Sequence, residues 1–242
     1  MIKNYLLITI RNFLKSKIFI IINVLGMGIS IACCIVAYVN WDFANSWDYT
    51  QKNAANIYRV QFHREFQGNH ERYGTAPIPI GNLIKGNFSD VPKVVRYYPG
   101  GSNIRIGDEV FNTSFSYADS AFFDLFTYEL KYGTISEFHN KANVFISDEL
   151  AIKYFGKEDV VGEQITQVYT NKDNERILKE FTIGGVFKQQ PYNSSFRFEA
   201  ITLFSNLWET VTDPWLAETS WKRWAALFLK IDDPSLVSSV EK

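Results

Sequence analysis

Three histidines, two adjacent cysteines, one Gly-Gly-Ser step and a few carboxylate pairs are the residues of this 242-residue chain whose types could carry chemistry. A metal site needs several of them to converge, but the spacing of His63, His70 and His139 places no two on one helix face. The chain's two thiols, Cys33 and Cys34, lie inside an apolar stretch and cannot join them. Gly100-Gly101-Ser102 lacks the second flanking glycine of a nucleophile elbow and the GK[ST] of a phosphate loop, and it reads as a turn. Asp108-Glu109 and Asp232-Asp233 could pair for acid–base work, yet both fall at turn-like positions and read as solvated loop carboxylates. The expectation is therefore a protein that is not an enzyme: no catalytic residues, no cofactor, no metal, and substrate-binding residues that cannot be read from the sequence.

What these residues decorate is easier to read. Ile18 to Val39 is a run of 22 residues without a charge, preceded by Lys3, Arg11, Lys15 and Lys17 with no acid among them. As a helix it would be about 33 Å long, enough to cross a hydrocarbon core of about 30 Å. The basic flank holds the N-terminal side in the cytoplasm and places residues 40–242 outside. A secretory signal would have a shorter apolar core and an A-x-A-like cleavage site before Asn40, so the helix is expected to be retained. Ser30, three residues before Cys33, occupies the position where a lipoprotein signal carries a large aliphatic, which argues against lipidation. Residues 1–17 place Tyr5, Leu6, Ile10, Phe13 and Leu14 at helical spacing and predict an amphipathic helix in the inner interface. Within the span, Gly26, Gly28, Ser30 and Ala32 form a line of small residues, and the Asn23 amide calls for a partner, features suited to packing against other spans. Tyr38, Trp41, Phe43 and Trp47 form an aromatic belt, and Tyr49 to Asn56 is expected to continue as a helix.

Outside the span there is no cysteine, so the domain must be stable by packing alone. Twenty Phe, 13 Tyr and 6 Trp in the whole chain supply apolar area for that purpose. Net charge is −1, and beyond the N-terminal basic cluster there is no charge block, so nucleic acid is not an expected partner. Strands are expected at Ile57 to Phe62, Lys93 to Tyr98, Thr127 to Tyr132, Asn143 to Ile146, Arg197 to Phe204 and Ala225 to Ile231. Two hairpins are expected, one within Ile104 to Tyr117 turning at Gly107-Asp108, the other joining Gln164–Thr170 to Leu178–Gln189 across residues 171–175. Helices are expected at Ile78 to Phe88, at Ser120 to Phe126 with Asp119 as N-cap, and from the Ser147 cap to Tyr154 with Gly156 as the stop. The Trp-rich segment with Trp208, Trp215, Trp221 and Trp224 is most simply core packing, with a partner surface as the other reading. The fold class expected is α+β: one N-terminal transmembrane helix, then a mixed, mainly antiparallel extracytoplasmic domain.

A family resemblance extends this reading over nearly the whole chain. The string IINVLGMGISIACCIVAYV after the basic NFLKSK resembles the first transmembrane helix of MacB/FtsX-type ABC transporter permeases, particularly the large permeases of Bacteroidetes. NAANIYRVQ resembles their entry into the extracytoplasmic core, and SYADSAFFDLFTYELKYG their stretch in which an Asp precedes paired Phe residues, here Asp119, Phe122 and Phe123. NVFISDELAIKYFGKEDVVGEQI (Ser147, Ala151, Phe155, Gly156, Gly162) and FTIGGVFKQQPYNSSFRFEAI (Gly185, Pro191, Ser194, Phe198) follow in the expected order. These residues suit turns and cores, so the resemblance implies a fold and no active site.

The implied architecture is a cytoplasmic or interfacial helix over 1–17, a transmembrane helix over 18–39, and a MacB-like periplasmic core domain with porter-like lobes over 40–242. The implied function is that of a permease subunit, coupling a separate cytoplasmic ABC ATPase to export or to mechanical signalling in the periplasm. Its implied partners are that ATPase, a second permease in a dimer or pseudo-dimer, a periplasmic adaptor and membrane lipid, at the bacterial inner membrane with the N-terminus inside. Family members carry further spans after the core, so the chain is expected to be a fragment, a truncated reading frame or an isolated domain. The competing class is a single-span membrane-anchored sensor or scaffold.

Overall fold

The computed structural model describes residues 4, 5, 8, 9, 11, 15, 17–88, 93–170, 175–210 and 220–240. The amphipathic helix expected over 1–17, the 171–175 turn and the Trp215 stretch fall largely outside those residues. The chain divides into two compact units, Met1–Tyr49 and Thr50–Lys242.

In the first unit a single helix, α1 (Lys17–Asn45), carries the uncharged run and is long and apolar enough to cross a membrane. No side chain along it is buried within the protein. Its polar side chains turn back on its own backbone: Asn23 Nδ2 donates to the Phe19 carbonyl at 2.9 Å, Ser30 Oγ to Gly26 at 2.8 Å and Asn40 Nδ2 to Val36 at 2.9 Å. The Asn23 amide is thereby partly satisfied without a second helix, which lowers the cost of placing it in hydrocarbon. Near the polar end, Tyr38 and Trp41 lie with ring centroids 6.1 Å apart, and Phe43 meets Trp47 edge-on at 5.8 Å.

In the second unit, a 3₁₀ turn (Ala54–Asn56) leads into β1 (Ile57–Arg59), β2 (Phe62–Phe66), β3 (Asn69–Tyr73), β4 (Ala76–Pro77) and helix α2 (Pro79–Asn87). β5 (Lys93–Tyr98), β6 (Gly101–Ile106) and β7 (Glu109–Ala118) precede the short helix α3 (Phe122–Leu125), β8 (Leu130–Gly133) and a 3₁₀ turn at Ile135–His139. Then come β9 (Asn143–Ser147), helix α4 (Asp148–Phe155), β10 (Gln164–Thr170), β11 (Arg176–Phe187) and β12 (Ala200–Leu203). β13 (Trp224–Lys230), a 3₁₀ turn at Pro234–Leu236 and α5 (Val237–Val240) close the described chain.

One sheet runs β1-β13-β5-β7-β12-β9-β11-β10-β6, with β4 added to β13 and β8 to β11. Because β6 pairs with both β10 and β7, the strands β6, β7, β12, β9, β11 and β10 close into a ring. The β7–β12 and β9–β11 pairings are parallel and the others antiparallel, so the sheet is mixed and mainly antiparallel as expected.

Closure divides the side chains by period two. Ile104, Phe115, Tyr117, Val144, Ile146, Ile165, Phe181 and Ile183 share one core. Phe115 of β7 meets Phe181 of β11 at 5.9 Å although the two strands are not neighbours, so this face is the ring's interior. The alternate face, with Ala118, Phe145, Phe187 and Ile201, is covered by α3 and the 196–198 segment in a second core rich in Phe. Phe122, fully buried, lies within 6 Å of the rings of Tyr97, Phe123, Phe126, Tyr128, Phe196 and Phe198. A third core forms where α2 and α5 pack on β5 and β13 through Ile84, Val94, Leu227 and Leu229.

Some expected elements change. The strand expected over Ile57 to Phe62 stops at Arg59, and Phe62 opens a separate hairpin, β2–β3, that the sequence reading does not contain. Its strands read FHREF and NHERY, too polar to show an apolar period, and Gln67 and Gly68 turn with φ of 49° and 78°. Tyr49 to Asn56 is turn followed by a 3₁₀ segment rather than a continued helix. Ser147 caps α4 by accepting from Leu150 N–H at 3.1 Å, and Gly156 ends the helix in the left-handed region, as expected. Asp119 does not cap α3: its N-cap is Ala121, without a side-chain bond. The Trp-rich segment divides, with Trp224 clasped between Phe62 and Tyr73 at 4.8 and 5.2 Å, Trp208 against Phe204, and Trp221 exposed.

Phe122 joins α3 to the Phe-rich core from its centre. Phe122→Ala is expected to lower unfolding stability by about 3–5 kcal/mol, read from denaturant titration of the full chain in detergent.

Candidate coupling site

The residues with chemistry-bearing types do not assemble. His63 and His70 stand on the same face of the β2–β3 hairpin with Glu65 and Arg72, and His139 ends the 3₁₀ turn with Nδ1 3.1 Å from the Ser136 carbonyl. Among the described residues no three His, Cys, Asp or Glu side chains are grouped to hold a metal. Asp108 and Glu109 sit exposed at the β6–β7 turn. Asp232 accepts from Asn56 Nδ2 at 3.2 Å, and Asp233 caps the turn at Pro234 by accepting from Ser235 N–H at 2.9 Å. Gly100-Gly101-Ser102, expected as a turn, instead enters a strand: Gly101 and Ser102 open β6. Gly100 is the step between β5 and β6, where its carbonyl accepts from Phe115 N–H at 3.0 Å. A side chain at Gly100 would press against the Phe115 carbonyl oxygen at 2.9 Å, so only glycine fits.

A different constellation is built where the chain enters the second unit. Gln51, nearly buried, uses its amide as a strand would: Oε1 accepts from Thr127 N–H at 2.8 Å and Nε2 faces the Thr127 carbonyl at 3.5 Å. Lys52 N–H donates to Thr127 Oγ1 at 3.1 Å, and Asn53 Nδ2 donates to the Leu125 carbonyl at 3.1 Å. Thr50 Oγ1 donates to Gln190 Oε1 at 3.0 Å, while Gln190 Nε2 donates to the same Thr127 carbonyl at 3.2 Å. Three consecutive residues, Gln51, Lys52 and Asn53, are thus fastened to the end of α3 and the loop that follows it, and Thr50 is fastened to Gln190. Backbone groups of Leu125 and Thr127, with the Thr127 hydroxyl and the Gln190 amide, supply the acceptors and the donor.

The clamp is seated on the Phe-rich core through α3, and its other side leads directly into the sheet. Asn56 accepts from Ile231 N–H at 3.0 Å, and β1 pairs antiparallel with β13. The segment entering β1 and the segment leaving β13 therefore run side by side at one sheet edge. Neither Gln51, Thr127 nor Gln190 was legible as a site residue, because isolated amides and hydroxyls carry no spacing signal. The one hint was the absence of apolar residues in Thr50–Asn53 immediately after the aromatic belt.

Asp119 holds the neighbouring strands together. Both its oxygens take the Arg96 guanidinium, at 3.0 and 2.8 Å, one also accepts the Arg96 N–H at 3.0 Å, and Lys85 lies at 3.5 Å. Burial works against the charged carboxylate, but the Arg96 bonds and the two cations outweigh it and hold its pKa below the ordinary value. A depressed folded pKa means that this pair stabilises the protein above the unfolded carboxyl range, and that its contribution is lost as pH falls through the folded value. Arg96 is itself buried, with its guanidinium 4.3 Å from the Phe204 ring. Asp119→Asn is expected to destabilise the chain by about 3 kcal/mol at neutral pH. It should also flatten the acid limb of a stability-against-pH curve, which thermal unfolding between neutral and acid pH measures.

With this geometry in view, comparison with known proteins is informative. The profile of the MacB-like periplasmic core domain matches residues 20–242. A crystal structure of a domain of a putative permease protein from Porphyromonas gingivalis superposes with a TM-score of 0.62 at 21% identity, covering 79% of this chain and 81% of that one. The extracellular domain of the noncanonic ABC-type transporter YknZ from Gram-positive bacteria gives 0.53 at 17% identity, over 77% and 89% of the two chains. The periplasmic region of MacB from Actinobacillus actinomycetemcomitans gives 0.51 at 18% identity, over 77% and 80%. No curated protein gave a significant sequence match. These likenesses share the fold, and the profile match spans the apolar helix and the sheet domain together, so the chain belongs to the family of MacB-like periplasmic core domains found in ABC transporter permeases.

Proposed function

We propose that this chain is the N-terminal part of an ABC transporter permease of the MacB/FtsX type, in which a separate cytoplasmic ATPase drives the external domain for export or for mechanical signalling. The clamp is the observation that carries the reading. The first residues of the second unit, Thr50–Asn53, are not a loose lead-in but are fastened by hydrogen bonds to residues 125–127 and to Gln190. Such an attachment suits the transfer of motion from α1 into the sheet domain. The family membership supports the same assignment.

On this reading α1 spans the inner membrane with its basic flank in the cytoplasm, and the domain from residue 40 onward is periplasmic. The permease works as a dimer or pseudo-dimer, contacts the ATPase through cytoplasmic segments of the intact permease, and meets lipid along α1. A periplasmic adaptor or the exported substrate would engage the sheet domain. ATP hydrolysis belongs to the separate subunit.

The gene is to be read beyond codon 242 and the intact permease purified in detergent. Recovery of a nucleotide-hydrolysing subunit in fixed proportion supports the transporter. Recovery of the permease alone, with a ligand response indifferent to ATP, sinks it in favour of a single-span sensor. In the reconstituted complex, Gln51→Ala combined with Asn53→Ala is expected to leave basal ATP hydrolysis intact. It should lower the coupled response about tenfold, corresponding to roughly 1.4 kcal/mol of lost coupling.

A further inference from the structure

The ring closes through a short pairing. β6 meets β10 through only Asn103–Arg105 against Thr166–Val168, and its opposite edge meets β7. At this seam the interior carries a small polar layer. Gln167, on β10 and 1% exposed, donates from Nε2 to Tyr117 OH at 2.6 Å on β7 and to Ser102 Oγ at 3.0 Å on β6. Ser102 stands directly opposite Thr113 of β7 in the register, and Thr113 is likewise 1% exposed.

Two atoms of this layer, Gln167 Oε1 and Thr113 Oγ1, are buried with no hydrogen-bonding partner among the described residues. Unmet groups of this kind in an apolar interior are costly and uncommon. Turning the Gln167 amide over does not remove the problem. Oε1 would then accept from the Ser102 and Tyr117 hydroxyls, and Nε2 would be left unmet instead. On β6 and β7 the layer is made by a small pair, Ser102 facing Thr113, where the next inward pair along, Ile104 and Phe111, is bulky.

We propose that the seam binds one buried water molecule between Gln167 and Thr113. Both unmet atoms gain a partner from it. Water donates one hydrogen to Gln167 Oε1, and its own oxygen accepts from the Thr113 hydroxyl and from the Ser102 hydroxyl, whose Oγ already receives Gln167. Three hydrogen bonds are the usual complement of a buried water. Ser102 is only half-buried, which gives the molecule a route from solvent. So placed, the water ties β10, β6 and β7 together at one of the ring's two three-residue pairings, independently of what the permease transports.

The test rests on a sign. If the Thr113 hydroxyl is truly unmet, the near-isosteric Thr113→Val leaves thermal stability unchanged or raises it. If the hydroxyl holds a water, the same substitution lowers the Tm of the full chain in detergent, by about 2–4 °C for a domain of this size. Water-to-amide cross-relaxation at the Gln167 side chain, measured by NMR on the perdeuterated full chain, gives the second readout. It is expected in the wild type, retained in Thr113→Ser and lost in Thr113→Val. A Tm at or above wild type for Thr113→Val, or no cross-relaxation in the folded wild type, overturns the proposal. Should Thr113→Val fail to fold, the wild-type and Thr113→Ser spectra decide alone.

Discussion

Everything in the sheet domain depends on how β7 is shared. Its first part, Glu109–Ser114, bonds to β6, while its last residues, Phe115–Ala118, lie between β12 and β5. One strand therefore belongs both to the closed ring and to the open extension that carries β13 and β1. Since β5 and β6 approach the same edge of β7, the chain must step from one line of pairing to the next between them. That step is Gly100, held against the Phe115 backbone. The alternation of β7 then distributes the cores. Phe115 and Tyr117 face the ring interior, and Ala118 faces the Phe-rich layer beneath α3.

Two different forces act on this frame, and their magnitudes assign them different roles. Full burial of a Phe removes some 150–200 Å² from water, worth several kcal/mol at about 25 cal/mol per Å². With no cysteine beyond the span, that term has to supply the stability that disulfides often give small external domains. The Arg96–Asp119 pair is another matter. Its Coulombic gain is largely offset by desolvation, so against a well-packed apolar pair it contributes little net stability. What it fixes is register: the carboxylate takes the Arg96 side chain and its N–H together, and the Asp119 N–H bonds back to the Arg96 carbonyl, so β5 cannot slide on the end of β7 without leaving a buried charge unmatched.

The same distinction explains what could be read from the residues alone. Ile18 to Val39, the β6–β7 hairpin around Gly107, the β10–β11 pair and the Ser147-to-Gly156 helix all announce themselves through local signals, an uncharged run, period-two alternation, a cap or a left-handed glycine. The β2–β3 hairpin escaped because one face is polar, the other interrupts Phe62, Phe66 and Tyr73 with Arg64 and Glu71, and its turn relies on a glutamine at positive φ, not on Asn-Gly. Asp119 was misassigned for a related reason. A carboxylate just before a helix satisfies the cap pattern, and nothing local reveals a guanidinium 23 positions upstream. Ring closure was invisible too, because the β6–β10 partnership joins segments about 60 residues apart and leaves no periodic trace. The Gln51–Thr127–Gln190 clamp fails the same way, being made of single polar side chains whose meaning comes only from what folding brings opposite them.

The clamp and the ring together constrain how motion could enter the domain under the proposed function. Thr50, Gln51, Lys52 and Asn53 bind in parallel, so a displacement of the chain ahead of them is shared among several short, directional bonds rather than borne by one. Those bonds end on residues 125–127 and Gln190. The first of these sites is continuous with α3, and α3 is locked into close-packed aromatic rings that transmit strain because they have little room to yield. The adjacent pairing of β1 with β13 offers a second route, into the extension and across β5 to β7. Both routes converge on the strand that the ring and the extension share. Coupling between a membrane helix and this domain would then be decided less by the clamp's own strength than by whether β7 keeps its two sets of partners or exchanges one for the other, since transmission over this distance needs an element with two discrete arrangements.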